Sequence, residues 1–160
     1  MISVLFVCLG NICRSPMAEA VFADLVNKTG LSNQITIDSA GTGGWHTGES
    51  AHPGTLKVLR KHDIPYNGRV RQFQHADLRR FNYVLAMDGS NLSTIRRVNE
   101  PPIKPGPQIT TFLHYANQSG LVKELEVPDP YYNNNFDYVY NLVRKGSQAL
   151  LAHIRKEHKL

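Results

Sequence analysis

The sequence predicts an α/β protein, a small doubly wound fold with a four-stranded parallel sheet and helices on both faces. Three observations carry that expectation. Short apolar runs rich in β-branched residues, at residues 2–7, 35–40, 83–87 and 109–113, alternate with longer stretches of helical spacing. The runs around Val4 to Val7 and Val84 to Met87 are almost continuously apolar, as strands buried on both faces require. The segments between them suit crossover connections, which set neighbouring strands parallel and cover the sheet on both sides.

In chain order, the first strand breaks off at Cys8 into a polar loop that closes with Arg14. Ser15 followed by Pro16 reads as a helix start, with serine as N-cap and proline at the first helical position. Residues 16–29 then place Met17, Ala20, Val21 and Leu25 near helical spacing, and Gly30 is the stop. The second strand, 35–40, runs into the loop Gly41-Thr42-Gly43-Gly44-Trp45. A helix is expected over 49–62, with Pro53 in its first turn, Leu56 and Leu59 facing the core, and Pro65 beyond its end. Residues 66–82 read as a polar, basic connection holding a short helix at 74–80. After the third strand Asp88 caps a helix carrying Leu92, Ile95 and Val98, which Pro101 and Pro102 end. The fourth strand and a loop-rich stretch lead to a long amphipathic helix from about residue 135, with Phe136, Val139, Leu142, Val143, Leu150 and Ile154 on one face. This is a flavodoxin-like plan. Its ligands sit beyond the carboxyl ends of the strands, where the Cys8 loop, the 41–45 loop and the Asp88 helix start all fall.

With 160 residues the chain fits one domain, 1–160, and shows no internal repeat or linker. A formal charge of +5 and a pI near 9.3 favour acidic partners: phosphate esters and phosphoproteins first, nucleic acid and anionic membrane surfaces less. The only two cysteines, Cys8 and Cys13, share one loop, so no disulfide framework is expected and a reducing, cytoplasmic setting is the simpler reading. The first apolar run has no preceding basic residue and no small-residue cleavage site, so it does not read as a secretory signal. No stretch approaches a membrane span. Seven scattered histidines and two loop cysteines offer no zinc spacing, so neither a metal nor another cofactor is expected.

The chemistry concentrates in Cys8-Leu9-Gly10-Asn11-Ile12-Cys13-Arg14-Ser15. A loop between a strand and a helix start turns its backbone N-H groups toward one spot and forms an anion nest. Cys8 stands at its beginning, where amide dipoles and the Arg14 cation favour the thiolate. Arg14 offers a planar fork matched to phosphate oxygens. A nucleophile under a phosphate cradle implies phosphoryl transfer through a cysteinyl-phosphate. The competing reading makes Cys8 a small buried hydrophobe ending a strand, a role that does not require the joint order of strand, cysteine, loop, arginine, Ser-Pro and helix. Cys13 reads either as a loop-filling side chain or as a partner that bridges Cys8 under oxidation.

The stretch Val7 to Pro16 closely resembles the signature of the low-molecular-weight protein tyrosine phosphatases, and the likeness runs from Val4 to about Tyr140, taking in Asp38-Ser39-Ala40-Gly41-Thr42 and Met87-Asp88. The resemblance implies hydrolysis of phosphotyrosine in proteins and of small aryl phosphates, with the residues Leu9 to Cys13 and Ser15 cradling phosphate. It implies that Asp129, in Pro128-Asp129-Pro130-Tyr131-Tyr132, is the general acid and base; taken alone that stretch is better explained by an Asp-Pro turn. Trp45 and Tyr131 are expected as apolar walls for an aromatic ring, although Trp45 also suits a lid over the sheet edge. Ile12 suits a flat ring, where relatives resembling arginine phosphatases tend to carry threonine. The resemblance further makes Asn11 and Ser39 braces of the loop and Ser15 a hydroxyl donor to the Cys8 sulfur.

Two departures stand out. Relatives often carry a histidine shortly before an Arg-Gln pair such as Arg71-Gln72, but this chain has Tyr66-Asn67-Gly68-Arg69-Val70 there. Asn133-Asn134-Asn135 stands where glycine is usual. Two rivals are an arsenate reductase, which needs further relay cysteines this chain lacks, and a phosphoprotein-binding module, which needs neither Cys8 nor Asp129.

Overall fold

The computed structural model describes residues 1–160. Four parallel strands, β1 (Ile2–Cys8), β2 (Ile35–Gly41), β3 (Tyr83–Ala86) and β4 (Gln108–Thr111), pair in the order β2-β1-β3-β4. β1 is central, in register from Ile2 opposite Ile35 to Cys8 opposite Gly41, and Val4 to Val7 pair with Tyr83 to Ala86. The doubly wound α/β architecture is therefore as expected, with its reversal of strand order at the end of β1.

Alternation along β1 divides the core. Val4, Phe6 and Cys8 face one side, packed with α1 (Arg14–Lys28) and α6 (Phe136–His158). Leu5 and Val7 face the other, with Val84, Ala86 and Ile95. Phe6 anchors the first side, edge-on to Phe22 and Phe112 at centroid distances of 5.7 and 5.3 Å. A β1 held on every side is a rigid base for the loop that leaves its end.

The boundaries differ from expectation in instructive places. α1 starts at Arg14, so Ser15 lies inside the helix and is not its N-cap; Cys13 occupies the cap position and gives no side-chain cap bond. The Ser15 hydroxyl is turned instead toward the Cys8 sulfur. Pro16 still falls in the first turn, where N-H groups have no helical partner to lose. α2 is shorter than expected, Pro53–Lys61, because Ser50 bridges Arg69 in an extended segment and His52, preceding proline, is held extended at ψ 140°. The His52 ring caps that helix by accepting from the Gly54 N-H at 2.9 Å. A single turn, α3 (Asp77–Arg80), lies within the expected 74–80. α4 (Gly89–Val98) has Asp88 as N-cap, accepting from the Asn91 N-H at 2.8 Å. β4 stops at Thr111 because Phe112 and Leu113 turn into α5 (His114–Gln118), a helix too short to show periodicity. No helix is long and apolar enough to cross a membrane.

Candidate active site

β1 delivers Cys8 to the carboxyl edge of the sheet, and the next five residues wrap around its sulfur before α1 begins. The wrap is visible in two bonds to Sγ: the Asn11 N-H donates at 3.2 Å, and the Ser15 hydroxyl lies at 3.0 Å. Asn11 achieves this in the left-handed region, at φ 58°, which asparagine tolerates better than most side chains. The loop also leans on β2. Thr42 and Gly43 donate backbone N-H groups to the carbonyls of Cys8 and Leu9, each at 2.9 Å. Gly41 permits that approach, since a Cβ there would stand 2.8 Å from the Leu9 carbonyl oxygen.

Asn11 is the brace at the loop's centre. Its Oδ1 accepts from the Arg71 N-H at 3.0 Å, while Nδ2 donates to Ser15 Oγ at 2.8 Å and Ser39 Oγ at 3.0 Å. All three side chains are buried. Cys13 is buried too, its carbonyl accepting from Thr55 Oγ1 at 3.0 Å. Burial, then Asp129, then Cys8 push the Cys13 thiol up to about 12, so it stays protonated across the neutral range.

Arg14, only 3% exposed, crosses beneath the loop. Its Nη1 donates to Asp88 Oδ2 at 2.7 Å and to the Val127 carbonyl at 3.0 Å, which uses both hydrogens of that nitrogen. Nη2 lies 3.5 Å from Asp129 Oδ2. The Nε and Nη2 edge is thereby left for an oxyanion, and it is the edge that matches two phosphate oxygens. Burial alone would lower the Arg14 pKa, but Cys8, Asp88 and Asp129 together raise it. Asp129 is oriented by its own segment: Oδ1 accepts from the Tyr131 N-H at 3.1 Å, leaving Oδ2 toward the site.

These groups share one cleft of about 240 Å3, lined by Cys8, Leu9, Gly10, Ile12, Cys13, Arg14, Trp45, His46, Asp129, Tyr131 and Tyr132. The polar groups lie at its floor. Its mouth is aromatic, with Trp45 71%, Tyr131 51% and Tyr132 78% exposed. Trp45 lies over Gly43, where an added methyl would overlap its ring. Tyr131 stands edge-on to Tyr132 and to His52, at centroid distances of 5.3 and 5.9 Å.

Asn11 and Ser15 thus touch the sulfur and Ser39 stands behind Asn11, none of them on the cleft surface, and the remaining sequence-predicted residues line the cleft. Sequence reasoning missed Asp88 as the anion that aims Arg14, having read it only as a helix cap. It also missed Tyr132 in the lining, and the pair Glu19 and Tyr66 behind Ser39. A carboxylate directly after a strand that neighbours β1 was the available signal for Asp88. For Glu19 there was none, because one acidic residue on a helix looks like any other. In the departing stretch 66–70 the Tyr66 hydroxyl reaches Glu19 at 3.0 Å, over a Gly68 whose missing side chain leaves it room.

Residues 3–160 match the family model described as low molecular weight phosphotyrosine protein phosphatase. This chain belongs to that family. Among its relatives, the low molecular weight protein-tyrosine-phosphatase YfkJ of Bacillus subtilis is 48% identical over 161 residues, covering 100% of both chains. PtpA of Staphylococcus epidermidis is 44% identical, over 100% of this chain and 98% of that protein. The crystal structure of YfkJ superposes with a TM-score of 0.92 at 47% identity, covering 98% of this chain and 96% of that one. A Drosophila arginine phosphatase also superposes, with a TM-score of 0.87 at 29% identity over 97% and 98% of the two chains.

Proposed function

We propose that this protein hydrolyses phosphotyrosine with Cys8 as nucleophile, Arg14 as phosphate clamp and Asp129 as general acid and base. The observation that carries this reading is the convergence of the three on one cleft floor, with the Cys8 sulfur inside the loop and Asp129 Oδ2 3.5 Å from Arg14 Nη2. In the first half-reaction the Cys8 sulfur bonds to phosphorus as the ester P-O bond breaks, and the Asp129 proton passes to the departing phenolate. The free edge of Arg14 and the loop N-H groups stabilise the equatorial oxygens. In the second, Asp129 takes a proton from water as the water oxygen bonds to phosphorus. Cys8 then leaves as thiolate, received by the Asn11 N-H and the Ser15 hydroxyl.

The substrate ring fits between Trp45 and Tyr131, with Ile12 at the base of the cleft. An aromatic pair of this kind contributes about 0.5 to 1.5 kcal/mol beyond area burial. The half-buried isoleucine favours a flat apolar ring over a guanidinium, which would want a polar partner at that depth. Tyrosine-phosphorylated proteins are thus the partners, in keeping with the basic charge, and two free cysteines suit a reducing, cytoplasmic location.

Hydrolysis of p-nitrophenyl phosphate by wild type, Cys8→Ser and Asp129→Ala tests the assignment. Cys8→Ser is expected to abolish turnover. Asp129→Ala is expected to lower kcat by about 100-fold or more with KM little changed, as for a group acting in the transition state. Wild-type rates in Cys8→Ser would overturn the assignment.

A further inference from the structure

Beside the catalytic cleft, across the His52 ring, lies a second groove that the hydrolytic scheme does not use. It runs between α2 and the start of α6, and His52, Gly54, Lys57, Lys61, Phe136 and Asp137 are among the residues that line it. Its volume of about 480 Å3 is twice the 240 Å3 of the cleft, room for a stretch of polypeptide rather than for one small ion. The two share a wall. The His52 ring stands edge-on to Tyr131 of the cleft, at a centroid distance of 5.9 Å, and stacks on Phe136 of the groove at 5.1 Å. Because His52 Nδ1 accepts from the Gly54 N-H at 2.9 Å, the ring is held in place and its proton sits on Nε2. Phe136 reaches the groove because residue 54 has no side chain; a Cβ there would overlap the Phe136 ring.

The groove carries an excess of positive charge. Lys57 is exposed and forms no ion pair. Lys61 meets Asp137 Oδ1 at 3.3 Å, but these side chains are 64% and 69% exposed, and a pair so exposed holds its partner weakly. No acid other than Asp137 lines the groove, so two ammonium groups stand against one carboxylate.

We propose that this groove is a subsite for the substrate polypeptide and takes an acidic residue two or three positions from the phosphotyrosine, its carboxylate held by Lys57 and Lys61. The proposal rests on the phosphatase reading of the cleft and narrows its substrates to phosphotyrosine within acidic stretches. The reach fits. Two or three extended residues cover roughly 7 to 10 Å, enough to pass from a ring held against Tyr131 over the 5.9 Å to His52 and into the groove. Lysine suits such a task, since a point charge with three rotatable donors meets a carboxylate in many geometries and selects charge more than shape. The formal charge of +5 draws acidic chains toward the protein from any side, and the groove gives that attraction a place next to the reacting atoms.

The test compares two phosphotyrosine peptides that differ only in glutamate against glutamine at the second and third positions on both sides of the phosphotyrosine. kcat/KM is measured for each in wild type, in the double variant Lys57→Gln with Lys61→Gln, and in Arg96→Gln with Arg97→Gln. The last removes as much charge from exposed positions of α4, on the other side of the sheet. Wild type is expected to favour the glutamate peptide about three- to tenfold at low salt. That preference should fade at about 1 M salt, where the screening length drops to about 3 Å. The lysine variant is expected to lose most of it, and the arginine variant to keep it. Equal kcat/KM for the two peptides in wild type would overturn the proposal. So would a preference that survives in the lysine variant or falls as far in the arginine variant, since the attraction would then belong to the net charge and not to the groove. Peptide binding to Cys8→Ser, read by fluorescence anisotropy, needs no turnover. The same glutamate preference there, beside a wild type that hydrolyses no aryl phosphate, would uphold the groove and sink the phosphatase reading; hydrolysis of both peptides at one rate would do the reverse.

Discussion

Asp88→Asn separates two jobs that one carboxylate performs. Oδ1 caps α4 by accepting from the Asn91 N-H at 2.8 Å, while Oδ2 accepts from Arg14 Nη1 at 2.7 Å. Asparagine caps about as well as aspartate, so the helix should lose no more than a few tenths of a kcal/mol. At the other position the amide turns an N-H toward a guanidinium that has only N-H groups to offer. The Arg14 side chain is 4% exposed and that of Asp88 23%, so water cannot readily replace the lost acceptor. A hydrogen bond to a charged group contributes about 1.5 to 3 kcal/mol, and that range bounds the damage. Part appears as stability, a fall of roughly 3 to 12 °C in Tm for a chain of this size. Part appears as a misaimed Arg14, whose remaining anchors are the Val127 carbonyl at 3.0 Å and Asp129 at 3.5 Å. If the whole effect fell on the transition state, kcat/KM would drop about 10- to 100-fold. The assay is p-nitrophenyl phosphate hydrolysis beside thermal unfolding, with Asp88→Ala as the comparison that loses the cap as well. Wild-type kcat/KM and Tm in Asp88→Asn would refute the argument that Asp88 aims the arginine.

Two further outcomes follow from the same geometry. Gly41→Ala sets a methyl 2.8 Å from the Leu9 carbonyl and 3.0 Å from the Asn11 nitrogen, so the loop must shift; activity should fall more than about tenfold for a stability loss of about 1 to 3 kcal/mol, measured by kcat/KM and denaturant unfolding. Because burial holds the Glu19 pKa above the ordinary value near 4.5, the unfolded chain gives up that proton first as pH rises, and stability is lost between 4.5 and the folded value. Glu19→Gln should therefore melt no lower than wild type at pH near 7, and its advantage should vanish below about pH 4.5, by calorimetry across that window.

What was legible in the sequence divides along a physical line. The strands and long helices follow from periodicity, and periodicity is local; hence β1 to β4 and α6 fall close to where the apolar pattern set them. The Cys8 loop was legible because its chemistry is contiguous, from the sulfur to Arg14 within one turn of chain. Helix ends were less so, since they are decided by what a side chain does elsewhere. Ser15 looks like an N-cap and is recruited to the sulfur instead, and in residues 49–52, which look helical, Ser50 bridges Arg69 and His52 is extended before Pro53. Least legible were residues whose role depends on a partner far along the chain. Asp88 meets Arg14 across 74 positions, and Tyr66 meets Glu19 across 47.

The residues before Arg71 follow the same line. The Tyr66 hydroxyl reaches Glu19 Oε1 at 3.0 Å, and Gly68 leaves it room, since a Cβ there would overlap the phenol oxygen. The Glu19 oxygen therefore has a phenol as donor, where a histidine in this stretch would offer an imidazole. The two differ in a measurable way. An imidazole would titrate near neutral pH, while the Tyr66 hydroxyl, its pKa raised by burial and then by Glu19, does not. The hydrogen-bonded groups behind Cys8 in this chain should therefore contribute no histidine-like limb to the pH dependence of kcat.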